Sequence, residues 1–273
     1  MEKIAEAARL IETDGYVVLE DIVDPRHLGA LRDRMLEELP RILARRDAPF
    51  NFNDTNVQQD PPPFPPWLHR DILCNEIVVA VTHAVLGDGV RNGFYSGNTA
   101  LPGGKRQPVH ADVGQLWPDL DVATPAFGLV VNVPVVDMGP WNGATEIWPG
   151  THRDTTQWIG GGPPRIPESL LDRWARAFPP LQPEMRVGGV LVRDIRMWHR
   201  GMPNPSGVPR PMIAMIHWAG WYECERIRLP RTAQPFVEHP VLRTAVEWTD
   251  EPFDHTLHGA AYDYDPATGD HGV

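Results

Sequence analysis

Apolar side chains recur at Ile4, Ala7, Ala8 and Ile11 among charged neighbours. That is the three-and-four spacing of one helix face, and it predicts a helix over residues 2–13. Asp14-Gly15 stops it before the apolar run Tyr16-Val17-Val18-Leu19. Asp24-Pro25 offers a cap and a first-turn proline for a second helix, carried on by Leu28, Leu31, Met35 and Leu39 until Pro40 disturbs it. A third helix is predicted from an Asn75 cap to Gly87. From about Val90 the pattern changes to short β-rich runs divided by Gly, Pro and Asn: VHADV, FGLVVNVPVVDM, ATEIW, VGGVLVRDIRMWH and RPMIAMIHWAGWY. Such punctuation predicts an antiparallel sandwich or barrel. Residues 166–178 interrupt it with one more helix, Leu170, Leu171, Trp174 and Phe178 on one side, packed over the barrel edge. The expected organisation is one domain over 1–273: a mainly helical flank to about 90, a β core over about 90–225, and a C-terminal extension over 226–273.

Composition changes this picture little. Thirty prolines and 24 glycines, spread without a repeat, mean many turns, and DPPPFPPW at 60–67 reads as a stiff extended loop. The 25 basic and 36 acidic residues give a net charge of −11 with no basic cluster, which argues against a nucleic-acid surface and gives a field that attracts a cationic small molecule. Charges at Glu2, Lys3, Glu6 and Arg9 exclude a signal peptide, and no apolar run reaches membrane-spanning length, so the expectation is a cytoplasmic protein with no membrane partner. Cys74 and Cys224 form no metal or disulfide pattern. No heptad or apolar stripe speaks for a particular oligomer.

Candidate chemistry centres on QPVHADVGQLWP, residues 107–118. If VHADV is a strand, His110 and Asp112 share a face. Alone, a His-x-Asp triplet is a weak signal. His199, ending the run DIRMWH, is the best candidate for a third ligand, and a hairpin through Asn204-Pro205 would set Arg210 nearly opposite it. Two histidines and one carboxylate on one face of an Fe(II) ion leave three positions open, two for a chelating 2-oxo acid and one for dioxygen. Arg210 then offers a planar fork for that acid's distal carboxylate.

His-x-Asp, a distant His and an Arg eleven residues beyond it resemble the phytanoyl-CoA dioxygenase family of Fe(II)/2-oxoglutarate-dependent oxygenases. The resemblance runs from DGYVVLEDIVDP through Gln107 and NGATEIWPGTH to WHRGMPNPS and the following RP, about 200 residues. VQQDPP, YSGN and LWP further liken the chain to members that oxidise aminoglycosides in secondary metabolism. The resemblance implies a double-stranded β-helix, or jelly roll, in a mainly β chain whose N-terminal helices pack on one sheet. It implies His110, Asp112 and His199 as catalytic iron ligands, and Arg210, with Gln107, Thr145 and Asn98, as contacts of the 2-oxoglutarate co-substrate. Gln107 stands three before His110, so on a regular strand it would face away, and a Pro108 irregularity must turn it. Gly201 departs from the small hydroxyl residue of many members. Asp112 stands where halogenating relatives lack the carboxylate, which argues against halogenation. The implied reaction turns a small, amine-bearing secondary metabolite into an alcohol or ketone.

Other residues have plainer readings. His152 sits at a turn and suits a hydrogen bond to a loop carbonyl; His83 suits helix packing; His217 admits either a pocket or a core position. Trp117, Trp141, Trp198 and Glu146 are candidate substrate contacts; Asp119, Asp121 and Glu223 are open to the same role toward an amine-bearing substrate, with solvated surface charge the plainer reading of each acidic residue. The loop 51–69 and the helix at 166–178 are candidate substrate walls. Two other functions fit the β core: a jelly-roll protein that binds a metabolite without catalysis, and a cupin-like metal enzyme that does not use 2-oxoglutarate.

Overall fold

Helix α1 (Glu2–Asp14) buries Ala7, Ala8 and Ile11, the face its spacing predicts. Gly15, at φ 87°, then turns the chain into strand β1 (Tyr16–Leu19); a Cβ there would stand 2.5 Å from Met197 and 2.6 Å from His152. The structure is a computed structural model and describes residues 2–159 and 165–264, so the last residues of the expected extension, 265–273, lie outside it. Helix α2 (Pro25–Leu43) begins on its Asp24 cap but runs through Pro40 instead of ending there. An interior proline costs about 3 kcal/mol. Burying Leu39 and Ile42 beside Leu28, Leu31 and Met35 returns about 1.5–3 kcal/mol for each side chain, which offsets that loss. After α3 (Arg70–Leu73), helix α4 (Glu76–Leu86) is capped by the Asn75 side chain, which accepts from the Ile77 and Val78 amides.

The fold is dominated by sheet. The large sheet has seven strands: β1, β2 (Asn56–Gln58), β3 (Arg91–Ala100), β4 (Gly128–Pro134), β6 (Val190–Asp194), β8 (Arg210–Trp218) and β10 (Arg243–Thr244). Its order is β1-β6-β4-β8-β3-β10, with β2 also on β3, and all pairs are antiparallel except β10 on β3. Two short sheets complete the chain, β5 (Glu146–Ile147) with β7 (His199–Arg200), and β9 (Ile227–Pro230) with β11 (Val246–Thr249). The first ninety residues thus contribute strands as well as helices.

Strand alternation sorts the large sheet into two chemical faces. On β8, Ile213 and Met215 join the core that α1, α2 and α4 cover, whereas Arg210, Met212 and Ala214 line a cavity on the other side, and Ile216 and Trp218 border both. Helix α5 (Glu168–Ala177) lays Leu170, Leu171 and Trp174 against a separate cluster of Val109, Ala111, Trp148 and Trp198. Residues 109–113 do not form the expected strand; among them only His110 makes bridge contacts. Pro108 cannot donate a ladder bond and the facing strand β7 lasts two residues, so pairing cannot extend. Among the described residues no helix is long and apolar enough to cross a membrane.

Candidate metal centre

A tight turn after β6 delivers His199. Arg196 forks onto Asp194 through Nε to Oδ1 at 2.9 Å and Nη2 to Oδ2 at 2.7 Å, and both residues are buried. The Met197 amide donates to the Asp194 carbonyl, and the Trp198 amide to Thr151 Oγ1. His199 then exchanges backbone hydrogen bonds with His110, at 3.0 and 2.8 Å, and the two imidazole centroids come to 4.3 Å. This reciprocal bridge does what the expected strand was to do. Asp112, in the bend that follows, brings Oδ1 to 3.4 Å from His199 Nε2. One ligand atom from each of the three residues lies within 4.8 Å of the others.

The donor set fits a divalent metal. His110 Nδ1–H donates to the Pro108 carbonyl at 2.9 Å and His199 Nδ1–H to the Met197 carbonyl at 3.1 Å, which leaves both Nε2 lone pairs for a metal. Burial, with His199 adding to it, pushes His110 down to about 3, so its imidazole is neutral as a ligand must be. Burial works to raise the Asp112 carboxyl, but His199 and the Arg193 guanidinium outweigh it and hold that carboxyl well below the usual range.

Arg210 opens the same cavity, of about 590 Å³, to an anion. It is 2% exposed, and its fork reaches only carbonyls, Nε to Asn142 at 3.4 Å and Nη2 to Gly143 at 2.5 Å. Nη1 has no partner and no acidic side chain faces the group among the described residues. Burial alone lowers its pKa to about 10, so it remains charged near neutrality. A buried guanidinium with a spare donor in a cavity that also holds a His-Asp-His set fits a carboxylate that chelates the metal. The expected hairpin is absent: β7 pairs with β5, β8 pairs with β3 and β4, and residues 201–209 cross from one sheet to the other. His199 and Arg210 therefore meet across the cavity instead of across a ladder.

Gln107, Thr145 and Asn98 all line this cavity. The odd offset of Gln107 is resolved by the irregular backbone, and its amide is committed: Oε1 accepts from the Gly201 amide at 2.7 Å and Nε2 donates to the Asn51 carbonyl at 3.2 Å. The same contact explains Gly201. A Cβ there would lie 2.6 Å from Asn56 Nδ2 and 2.9 Å from Gln107 Oε1, so amide groups fill the space a hydroxyl side chain would take. Gly201→Ser is expected to lower stability by about 1–3 kcal/mol through overpacking. Thermal melts of the two proteins measure it, and an unchanged Tm would contradict the crowding.

The four proposed substrate contacts do not line the cavity among the described residues. Trp117 and Trp141 are exposed, Trp198 is spent in the α5 cluster, and Glu146 is ion-paired with Arg200, Oε1 to Nε at 2.8 Å, and accepts from Trp148 Nε1 at 3.2 Å. Of the expected walls, Asn51, Phe52, Asn56 and Gln58 contribute, but the proline cluster borders a neighbouring cavity and α5 packs elsewhere. Sequence reasoning missed Arg193, Asn132 and the 260–262 segment, which closes over the site when Tyr262 exchanges backbone bonds with Phe50 and Phe52.

His152 Nε2–H donates to the Glu12 carbonyl at 3.1 Å, a carbonyl of the last turn of α1 and not of a loop as expected. His83 is a half-exposed partner of Asp88 and not a packing residue. His217 is a core residue bonded to Thr82 Oγ1 at 2.9 Å, and burial pushes it down to about 3. A second cluster, His27, His69 and Asp71, has ligand atoms equally close, but its rings stack at 4.0 Å and 12°. Imidazole lone pairs lie in the ring plane, so near-parallel rings aim them side by side and not at one ion. Asp71 there accepts from His27 Nδ1–H and the Asp24 amide, both at 2.9 Å, tying α2 to α3.

Comparison with known proteins gives the family and the fold. The sequence model of the phytanoyl-CoA dioxygenase family matches residues 11–212. The chain is similar to the dioxygenase af480 of Aspergillus fumigatus, 28% identical over 137 residues, which is 50% of this chain and 39% of that protein. Among solved structures it is similar to the epimerase SnoN in complex with Fe3+, alpha-ketoglutarate and nogalamycin RO, with TM-score 0.62, 14% identity, and coverage of 96% of this chain and 95% of that one. AviO1 from Streptomyces viridochromogenes Tue57 gives TM-score 0.59 at 20% identity, covering 81% and 97%. EctD from S. alaskensis in its apoform gives 0.57 at 21%, covering 90% and 87%. At these identities the likeness to the solved structures is one of fold.

Proposed function

The chain belongs to the phytanoyl-CoA dioxygenase family, whose members are Fe(II)/2-oxoglutarate-dependent oxygenases, and from that premise we propose that it oxidises a small metabolite at the expense of 2-oxoglutarate and dioxygen. The observation that carries the proposal is the unpaired Nη1 of buried Arg210 in the cavity that His110, Asp112 and His199 share. Those three residues would hold the metal, and Arg210 the distal carboxylate of 2-oxoglutarate, with Thr145 and Asn98 beside it. Bound iron supplies the coupling of dioxygen activation to oxidative decarboxylation of 2-oxoglutarate. The protein binds, orients and excludes water. We read the large sheet and the β5–β7 pair as the two sides of a double-stranded β-helix around the cavity, a reading supported by Arg193 and Arg210 lining it from one and His199 from the other.

The lining favours an uncharged, largely apolar substrate over the amine-bearing one that the family resemblance implied and the net charge leaned toward. Asp112 is the sole carboxylate among the described lining residues and is already engaged, whereas Phe94, Val130, Ile195, Ile216 and Trp218 form an apolar wall. An aminoglycoside would find no counter-charge there. Oxidation at a carbon bearing hydrogen alone gives an alcohol, and at one already bearing oxygen a ketone.

Anaerobic addition of Fe(II) and 2-oxoglutarate is expected to give the weak visible charge-transfer band of a chelate, absent in His199→Ala, with succinate appearing once oxygen is admitted. A wild-type protein that shows no band would favour a metabolite-binding protein, and metal binding without succinate would favour a cupin-like enzyme of another kind.

A further inference from the structure

A charged side chain in the middle of a buried strand needs a reason, and Arg193 of β6 has one only at the metal centre. It is 4% exposed, with Tyr16 of β1 and Val130 of β4 as its strand partners. Its Nη2 donates to Asp112 Oδ2 at 2.7 Å and to His199 Nε2 at 3.3 Å. Nε and Nη1 have no partner among the described residues. Every side-chain hydrogen bond this guanidinium makes therefore goes to one of the three proposed ligands.

We propose that Arg193 is the positioning residue of the metal centre: it claims the outer oxygen of Asp112, so that the carboxylate presents Oδ1 alone and three coordination positions stay open. The proposal rests on the reading of the site as a 2-oxoglutarate oxygenase. A carboxylate can ligate through one oxygen or both. Through both, it would leave two positions, enough for the 2-oxo acid and none for dioxygen. The geometry favours one: Oδ1 faces His199 Nε2 at 3.4 Å while Oδ2 is turned toward Arg193. Metal and Nη2 cannot share the single Nε2 lone pair, so a metal on His199 leaves the guanidinium to Asp112. Fold stability does not account for the residue, because an ion pair between a buried Arg193 and a partly exposed Asp112 is screened by solvent and gains little over apolar side chains of the same volume. Leu191, two residues before it on the same face of β6 and fully buried, shows what that face otherwise uses.

The test uses Arg193→Met, which removes the charge and the donors, Arg193→Gln, which keeps a donor, and Arg193→Lys, which keeps a charge that can reach Oδ2. Metal-free protein is titrated with Co(II), whose d–d spectrum reports coordination number without 2-oxoglutarate. Fe(II)-loaded protein saturated anaerobically with 2-oxoglutarate is then mixed with oxygenated buffer and the decay of its chelate band is timed. Expected are an altered Co(II) spectrum in Arg193→Met and an oxygen-dependent decay slower by about 10- to 100-fold, the usual activity cost of losing a group that orients a metal ligand. Arg193→Lys should recover part of both, and Arg193→Gln less. A wild-type spectrum and decay rate in Arg193→Met would overturn the proposal. So would a loss confined to thermal stability, with the spectrum per bound metal unchanged, in whichever of the three variants folds. A wild-type protein without a chelate band sinks the functional reading instead, and the Co(II) spectra still judge Arg193.

Discussion

Replacing Arg210 by alanine is expected to weaken 2-oxoglutarate binding by about 100-fold or more, leaving Fe(II) binding by the triad nearly unchanged. A hundredfold is about 2.7 kcal/mol, within the range for losing charge-assisted hydrogen bonds in a site where the partner carboxylate stays buried. The side chain touches only the Asn142 and Gly143 carbonyls, not a proposed ligand, which is why metal affinity should be spared. Lysine at 210 keeps the charge but not the planar fork, so it should recover only part of the loss. The readout is the chelate band against 2-oxoglutarate concentration, with Fe(II) affinity measured separately. Unchanged 2-oxoglutarate affinity in the alanine variant would remove Arg210 from the co-substrate site.

Much of this was legible in the chain because strand phase carries chemistry. On RPMIAMIHW, Arg210 shares its phase with Met212, Ala214, Ile216 and Trp218, the cavity side, and His217 falls out of phase, on the core side. The same period resolves the two readings left open for His217. It also contains Arg193, a charge inside VLVRD, which the apolar character of that run concealed. Other features were not readable. His110 and Asp112 converge through one bridge to His199 and a bend, not through a strand, and nothing local distinguishes the two. The crossing from β7 to β8 hides behind a turn that looks like a hairpin. The wall formed by residues 260–262 lies some two hundred positions from Phe50 and Phe52, in a stretch without periodicity, so its docking is a matter of tertiary packing alone.

Asp112→Ala is expected to abolish turnover, and to cost more metal affinity than the loss of one ligand explains. The substitution removes the anionic donor and also strands Arg193, whose Nη2 is left with His199 Nε2 as its remaining acceptor. That is the lone pair the metal needs, so the guanidinium becomes a competitor at the site it otherwise orders. An unpaired buried charge costs about 3–5 kcal/mol, which sets the expected fall in Co(II) or Fe(II) affinity at about 200- to 5000-fold. The two positions should then be strongly non-additive. In Asp112→Ala/Arg193→Met the stranded charge is gone, so metal affinity should rise above that of Asp112→Ala alone, while turnover stays absent because two imidazoles remain the only ligands from the proposed triad. Calorimetric metal titration of the four proteins closes the cycle. Additive losses would mean that Asp112 and Arg193 act on the metal separately, and that the 2.7 Å contact between them serves only the fold.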